Sequence, residues 1–353
     1  MSIQNGGLKI LYGVQATGQG HITRARVMAP ALEQMGAEVD FVFTGRPPED
    51  LYHMEPFGHF QTRRGMTFYF DKGKVSNLKT LFNNSAGQFV QDVRSLDLKP
   101  YDLVLTDYEP VTAWAAKLRG TPTIGIGHQY AFQHDIPMAG FNKLSRAGMQ
   151  AFAPAQTGLG VHWHHFNQPI LPPIFEPPAT DKSVQKNKIV VYLNFESLED
   201  VSTLLKGFQG HDFYIYASAV KQPYEQGHLK FRPTSPLFKQ DIEDCAGIIC
   251  GAGFELATEA LHMGKKLLVK PMDGQPEQLS NALALQKLSL GDAMHSLDQD
   301  IVARWLEKSD GVKIIYPDTA KAVAEWVAGG NWRDPSDMVR KLWTQVGGLG
   351  APV

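Results

Sequence analysis

Apolar positions along this chain fall into short unbroken runs that alternate with stretches of helical spacing. Lys9 to Val14 reads as a buried strand, and Gln15 to Gly20 as a glycine-containing turn. From Ile22 to Met35 the apolar residues Ala25, Met28, Ala29, Leu32 and Met35 recur at helical spacing. Gly36 then stands where a helix-ending glycine is favoured. Glu38 to Phe43 is the next strand, stopped by Thr44-Gly45. A strand–helix–strand opening predicts a parallel sheet and an α/β fold. Gly58 to Leu98 is less regular, with a helical pattern from about Asn77. Tyr101 to Thr106 is a strand with Asp107 at its end, Val111 to Leu118 a helix, and Pro122 to Ile126 a strand.

The texture changes between Pro154 and Pro178. The run LPPIFEPP is too rich in proline for a helix interior and reads as a link between domains. Strand–helix alternation then restarts, with apolar strands at Lys188–Leu193, Phe213–Ala217, Ile248–Cys250 and Lys266–Val269. Helices near Thr319–Val327 and Pro335–Val346 finish the pattern, and the GGLGAPV end is expected to be mobile. The division predicted is an acceptor-side domain over 1–168, a linker over 169–186, a second domain over 187–330 and a C-terminal helix and tail over 331–353. Opening and closing about the linker near Pro169–Pro178 is expected, because the two halves carry different contacts.

Composition narrows the function classes. The chain has 353 residues, enough for two domains that each bury a core. A formal net charge of −2 gives no global electrostatic case for nucleic acid. Two cysteines, Cys245 and Cys250, cannot build a disulfide framework and point to a reducing, cytoplasmic setting. The start MSIQNGGLKILYG has no charged region followed by a long apolar one, so no secretory signal is expected. Arg63, Arg64, Lys72, Lys74 and Lys79, with Phe68, Tyr69 and Phe70 among them, read as a solvated acceptor-side loop or, alternatively, a peripheral contact with the inner face of a membrane.

Candidate chemistry clusters at strand ends. The turn Gly18 to His21 opens the first helix, but Thr23 stands where a dinucleotide fingerprint wants its third glycine, and Thr44 where it wants an acid. A histidine at a helix N-terminus resists protonation, so His21 is a usable base near neutral pH, or else a structural residue. Asp107 at a strand end could hold its tautomer. Asp107 and Glu109 compete for that role and for capping the next helix. Gly18, Gly20, Glu109 and His128 complete the acceptor side. In the second half, Gly251, Ala252, Gly253 and Phe254 place free backbone N–H groups at a helix start, a cradle for phosphates. Glu259, about two turns into that helix, suits a ribose contact, and Glu277, Gln278 and Asn281 suit sugar hydroxyls. His162, His164 and His165 would share a strand, with His162 and His164 on one face, yet they lack further ligands nearby and no metal is expected.

These residues resemble an inverting GT-B glycosyltransferase of the group containing the UDP-glycosyltransferases. The chain is also similar to the N-acetylglucosaminyltransferase that completes lipid II. The resemblance rests on Ala252-Gly253-Phe254-Glu255, Glu259-Ala260-Leu261, Gly264-Lys265-Lys266, Gly274-Gln275, Glu277-Gln278 and Asn281-Ala282, with the Gly18–His21 turn and the DYEP strand end matching the acceptor domain. It implies two Rossmann-like domains facing across a cleft, no metal or other cofactor, and a nucleotide-sugar donor, most often UDP-linked, with a hydroxyl acceptor. It places His21 at the catalytic base, Asp107 at its partner, Glu259 at the ribose, and Glu277 and Gln278 at the donor sugar. Plant-type relatives carry a phosphate-contacting histidine at the position of Gly251, which is absent here, and Glu255 would lie one turn from the diphosphate. A nucleotide-sugar 2-epimerase and a non-catalytic nucleotide-sugar binding protein are the alternative functions.

Overall fold

The structure is a computed structural model that describes residues 7–51, 53–66, 70–71, 74–75, 85–177, 182–234 and 237–348. The first lobe runs β1 (Lys9–Gln15), α1 (Gln19–Gln34), β2 (Glu38–Thr44), β3 (Phe60–Arg63), a small pair β4 (Phe70–Asp71) and β5 (Lys74–Val75), α2 (Ala86–Ser95), β6 (Leu103–Asp107), α3 (Pro110–Arg119), β7 (Thr123–Gly127), α4 (His128–Ala131), α5 (Lys143–Phe152) and β8 (Thr157–Gly160). The second lobe runs β9 (Gln185–Tyr192), α6 (Leu198–Leu205), β10 (Asp212–Tyr216), β11 (Tyr224–Gln226), β12 (Leu229–Arg232), α7 (Leu237–Asp244), β13 (Cys245–Gly251), α8 (Phe254–Met263), β14 (Lys266–Lys270), α9 (Pro276–Lys287), β15 (Asp292–Ala293) and α10 (Gln299–Leu306). Two helices follow, α11 (Thr319–Ala328) and α12 (Ser336–Trp343).

Both lobes are wound alike. The first sheet has the order β3-β2-β1-β6-β7-β8, and its strands are parallel. The second has the order β11-β12-β10-β9-β13-β14-β15, parallel except for β11 at the edge. In each sheet the winding reverses direction once, between β1 and β6 and between β9 and β13. Open sheets of this kind offer a ligand crevice outside the carboxyl ends of the strands at such a reversal. Six of the seven residues of β1 are buried, as a parallel strand covered on both faces requires.

Local pattern explains most of the elements. Ile22, Ala25, Met28, Ala29 and Leu32 of α1 are buried, and Gly36 takes a φ of +79° just beyond the helix end. One charged residue, Arg24, lies on the same buried stripe. The segment HWHH is not a strand. Phe166 and Asn167 adopt left-handed backbone angles, and their N–H groups donate to His164 Nδ1 and His165 Nδ1, both at 2.9 Å, so these imidazoles tie a turn. Trp163 N–H donates to His162 Nδ1 at 2.8 Å in the same way. Cys245 and Cys250 are buried free thiols. The helical pattern from Asn77, Lys72, Lys79 and the aromatic residues Phe68 and Tyr69 lie outside the described residues, as does the end of the GGLGAPV tail.

The chain crosses between lobes twice. Ile170, Leu171, Ile174 and Phe175 of the first crossing are buried, and Leu171 forms a parallel bridge with Val161. The second crossing brings α11 back onto α1, with Ala320, Val323, Ala324 and Val327 buried. Trp343 Nε1 donates to the Ile170 carbonyl at 2.6 Å, and Thr157 Oγ1 to the Trp332 carbonyl at 2.5 Å. By packing, then, α11 belongs with the first lobe, although its residues fall inside the 187–330 stretch read from sequence. Among the described residues, no helix is long and apolar enough to cross a membrane.

Candidate functional site

The two reversal points face each other. On the first lobe, β1 and β6 lie side by side with Val14 opposite Asp107, so the turn after β1 and the end of β6 open at the same place. The chain turns sharply after Asp107 because Tyr108 takes a φ of +53°. That conformation costs on the order of 1–3 kcal/mol for a non-glycine residue and persists only where its surroundings enforce it. Tyr108 Oη is held by the Met149 carbonyl at 2.8 Å. The turn sends Asp107 and Glu109 in different directions.

Asp107 faces α1. Its Oδ1 lies 2.6 Å from His21 Nδ1. Arg24, one turn further along α1, donates to Asp107 twice, from Nε to Oδ2 at 2.8 Å and from Nη2 to Oδ1 at 2.7 Å. Burial pushes the Asp107 carboxyl up, but Arg24 and then His21 outweigh it and hold the group below the ordinary carboxylate range. An ionised Asp107 favours the tautomer with its proton on Nδ1 and the lone pair on Nε2, while Arg24 Nη2 lies 3.1 Å from the same Nδ1. The His21 side chain keeps 15% of its surface exposed, while Asp107 has none.

Glu109 has the other role. It is the N-cap of α3, accepting from Val111 N–H and Thr112 N–H, both at 2.7 Å. Thr112 Oγ1 and Thr44 Oγ1 donate to it as well, at 2.6 and 2.9 Å. Burial raises its pKa against these bonds. With no exposed surface and four donors already engaged, Glu109 faces α3 rather than an acceptor, and the competition with Asp107 resolves in favour of Asp107 beside His21.

The second lobe presents main chain where the first presents side chains. Gly253 is the N-cap of α8 and offers no side-chain cap, leaving the first-turn N–H groups without an internal acceptor. A Cβ on Gly253 would meet nothing within 4 Å. Ala252 is fixed from behind, its carbonyl accepting from Asn281 Nδ2 at 3.0 Å. Gln278 Oε1 accepts from Met272 N–H at 2.9 Å, and Gln275 Oε1 caps α9 through Gln278 N–H at 2.5 Å. Lys270, opposite Gly251 in the sheet register, pairs with Glu196 at 2.7 Å and adds a cation at these strand ends. Glu259 lies on α8 one turn beyond Glu255 and borders a cavity of about 120 Å³ with Lys239 and Glu176. Burial raises its pKa to about 7 against the pull of Lys239.

Several expected site residues instead join the lobes. The Phe254 ring is buried, stacked on His128 at 4.1 Å and on Trp163 at 4.9 Å, so its backbone alone remains at the helix start. His128 is buried as well, with Nδ1 on the Val161 carbonyl at 2.9 Å and Nε2 2.6 Å from Asn281 Oδ1. Burial lowers its pKa against the pull of Glu277. Asn281, fully buried between His128 and Ala252, presents nothing to a sugar. Glu277 Oε2 accepts from Gln129 Nε2 of the first lobe at 3.2 Å. Gly20 and Gly18 lie at the start of α1, where Gly18 is an N-cap without a side-chain cap. His162, His164 and His165 hold backbone groups, and among the described residues no group of three His, Cys, Asp or Glu side chains could hold a metal ion.

Arg24 is the member of this cluster that sequence reasoning missed. Besides Asp107 it reaches the second lobe, donating from Nη1 to Glu255 Oε1 at 2.5 Å. Burial disfavours its charge, but Asp107 and Glu255 outweigh burial and raise its pKa. The available signal was its spacing of three from His21, which puts both on one face of α1.

Comparison with known proteins places the chain in a family and a fold. The sequence pattern of glycosyl transferase family 1 matches residues 8–309. Among curated proteins, none matches the chain in sequence. Solved structures with the same fold include the glycosyltransferase SnogD from Streptomyces nogalater, at 15% identity and a TM-score of 0.57 over 96% of this chain and 99% of that one. The spinosyn rhamnosyltransferase SpnG complexed with thymidine diphosphate matches at 14% identity and a TM-score of 0.57 over 95% and 97%. The glycotransferase of kitacinnamycin matches at 13% identity and a TM-score of 0.62 over 96% of each.

Proposed function

Since the chain belongs to glycosyl transferase family 1 and has the two-lobed GT-B fold, we propose that it moves a sugar from a nucleotide-sugar donor to a hydroxyl acceptor with inversion at the anomeric carbon. His21 Nε2 takes the acceptor proton as the new bond forms, and Asp107 stabilises the imidazolium. The nucleoside diphosphate leaves toward the open N–H groups at the start of α8, which stabilise its growing charge. Glu259 meets the ribose, and Glu277 and Gln278 meet the donor sugar. A UDP-linked donor fits the sequence resemblance, while SpnG complexed with thymidine diphosphate supports a TDP-linked one. Neither step of this reading uses a metal. The protein acts in the cytoplasm.

The observation that carries the reading is the 2.6 Å contact between His21 Nδ1 and Asp107 Oδ1, set opposite an uncapped helix start on the other lobe. The test is a panel of UDP- and TDP-sugars incubated with hydroxyl acceptors and, separately, with no acceptor. Acceptor-dependent release of UDP or TDP supports transfer. A new nucleotide sugar formed from donor alone would establish an epimerase instead.

A further inference from the structure

The carboxylate of Glu255 occupies a place built for an anion. Glu255 is the second residue of α8, so it belongs to the turn whose N–H groups are open. Its side chain also lies against the start of the other lobe's first helix. A Cβ added to Gly20 would come within 2.6 Å of Glu255 Cγ, so α1 approaches that closely only with glycine there. Neither α1 nor α8 has a side-chain cap. Two positive helix ends therefore converge on one carboxylate. The third element is a guanidinium: Arg24 Nη1 donates to Glu255 Oε1 at 2.5 Å, and the Arg24 side chain is only 1% exposed. Asp107 clamps the Nε and Nη2 edge of Arg24 and leaves Nη1 directed at the second lobe.

We propose that Arg24 is a diphosphate-binding residue supplied by the first lobe, and that Glu255 keeps its place until the donor arrives. The proposal rests on the nucleotide-sugar reading above and adds a residue to it. A diphosphate at the start of α8 meets the same N–H groups and the same Nη1 with more negative charge than one carboxylate, so it displaces Glu255. Arg24 thereby supplies the cation that the plant-type relatives place at the position of Gly251. It also explains how an acid is tolerated one turn from a diphosphate site. The exchange makes and breaks hydrogen bonds and ion pairs only, and the lobe carrying His21 senses the donor directly.

The experiment is isothermal titration of the full chain with UDP and TDP, and with uridine and thymidine as probes lacking phosphate. Glu255→Gln keeps an acceptor for Arg24 but removes the competing charge. It should bind the preferred diphosphate about tenfold more tightly than the unaltered protein, with the nucleosides unchanged. Arg24→Gln should weaken the diphosphate by about tenfold or more, and Glu255→Gln added to Arg24→Gln should bring no gain. Because Arg24→Gln leaves Asp107 buried without its partner and could unfold the lobe, the Glu255→Gln result decides alone. Unchanged or weaker diphosphate binding in Glu255→Gln, with the unaltered protein binding normally, overturns the proposal. An unaltered protein that binds neither diphosphate takes the nucleotide-sugar reading down as well.

Discussion

The two lobes share a winding and differ in what they place at its reversal point. The first lobe gathers side chains there: His21 and Arg24 from α1 and Asp107 from β6, tied by bonds of 2.6–2.8 Å. The second offers mostly backbone, a turn of Gly251-Ala252-Gly253 and a helix start with no side-chain cap. On the proposed reading, one scaffold serves two chemistries through the polarity of its strand ends. Proton transfer needs a titratable group held in one tautomer, while a leaving diphosphate needs donors that cannot lose their protons. The fold provides the crevice in both cases, and a few residues decide which task each crevice performs.

The sharpest way to break this comparison is His21→Ala. It should lower turnover by about 10²–10⁴-fold and leave the affinity for UDP or TDP within about twofold, because on the proposed reading the diphosphate is held by Arg24 and the N–H groups of α8 and not by His21. Steady-state rates with isothermal titration measure both, and equal losses in the two would merge the roles. Next comes the seam between lobes. Phe254→Ala removes a buried ring stacked on His128 and Trp163 and should cost about 3–5 kcal/mol in urea unfolding. A single unperturbed transition would mean that the lobes do not rely on that ring. Smaller still, Glu109→Ala strips the cap of α3 and should cost about 2 kcal/mol, with the first lobe losing hydrogen-exchange protection before the second.

The smallest expected effect is a pH dependence. Burial raises the Glu259 carboxyl from 4.5 to about 7 in the folded chain. The folded protein therefore binds a proton there that the unfolded chain releases above pH ~4.5. Its contribution is intact below pH ~4.5 and is lost as the pH climbs toward 7. Glu259→Gln has no such loss, so it should melt a few degrees above the unaltered protein at pH 8 and match it at pH 4. Equal melting temperatures at both values would place Glu259 in a solvated setting.

Local pattern carried the fold far. The spacing of Ala25, Met28, Ala29 and Leu32 identified the buried face of α1, and the apolar runs located the principal strands of both sheets. His21, Asp107 and the Gly251–Gly253 turn were legible because each sits at a strand-to-helix junction, where sequence and geometry are locally coupled. What stayed hidden depends on partners far away in the chain. Arg24 looked like an ordinary polar helix residue until Asp107 and Glu255, 83 and 231 positions away, enclosed it. His128 and Asn281 read as crevice residues because nothing local reveals that 153 positions of chain bring them together. Glu109 and Asp107 could not be told apart, since the left-handed Tyr108 between them decides their directions and its neighbours in sequence do not encode it.

The return of α11 to α1 has a mechanical meaning. A body joined to another at a single point can swivel in any sense, but one joined at two points turns only about the line through both. The buried stretch around Leu171 is one attachment and the segment leading into α11 is the other. Any relative movement of the halves is thereby confined to a single arc, like a door on two pins.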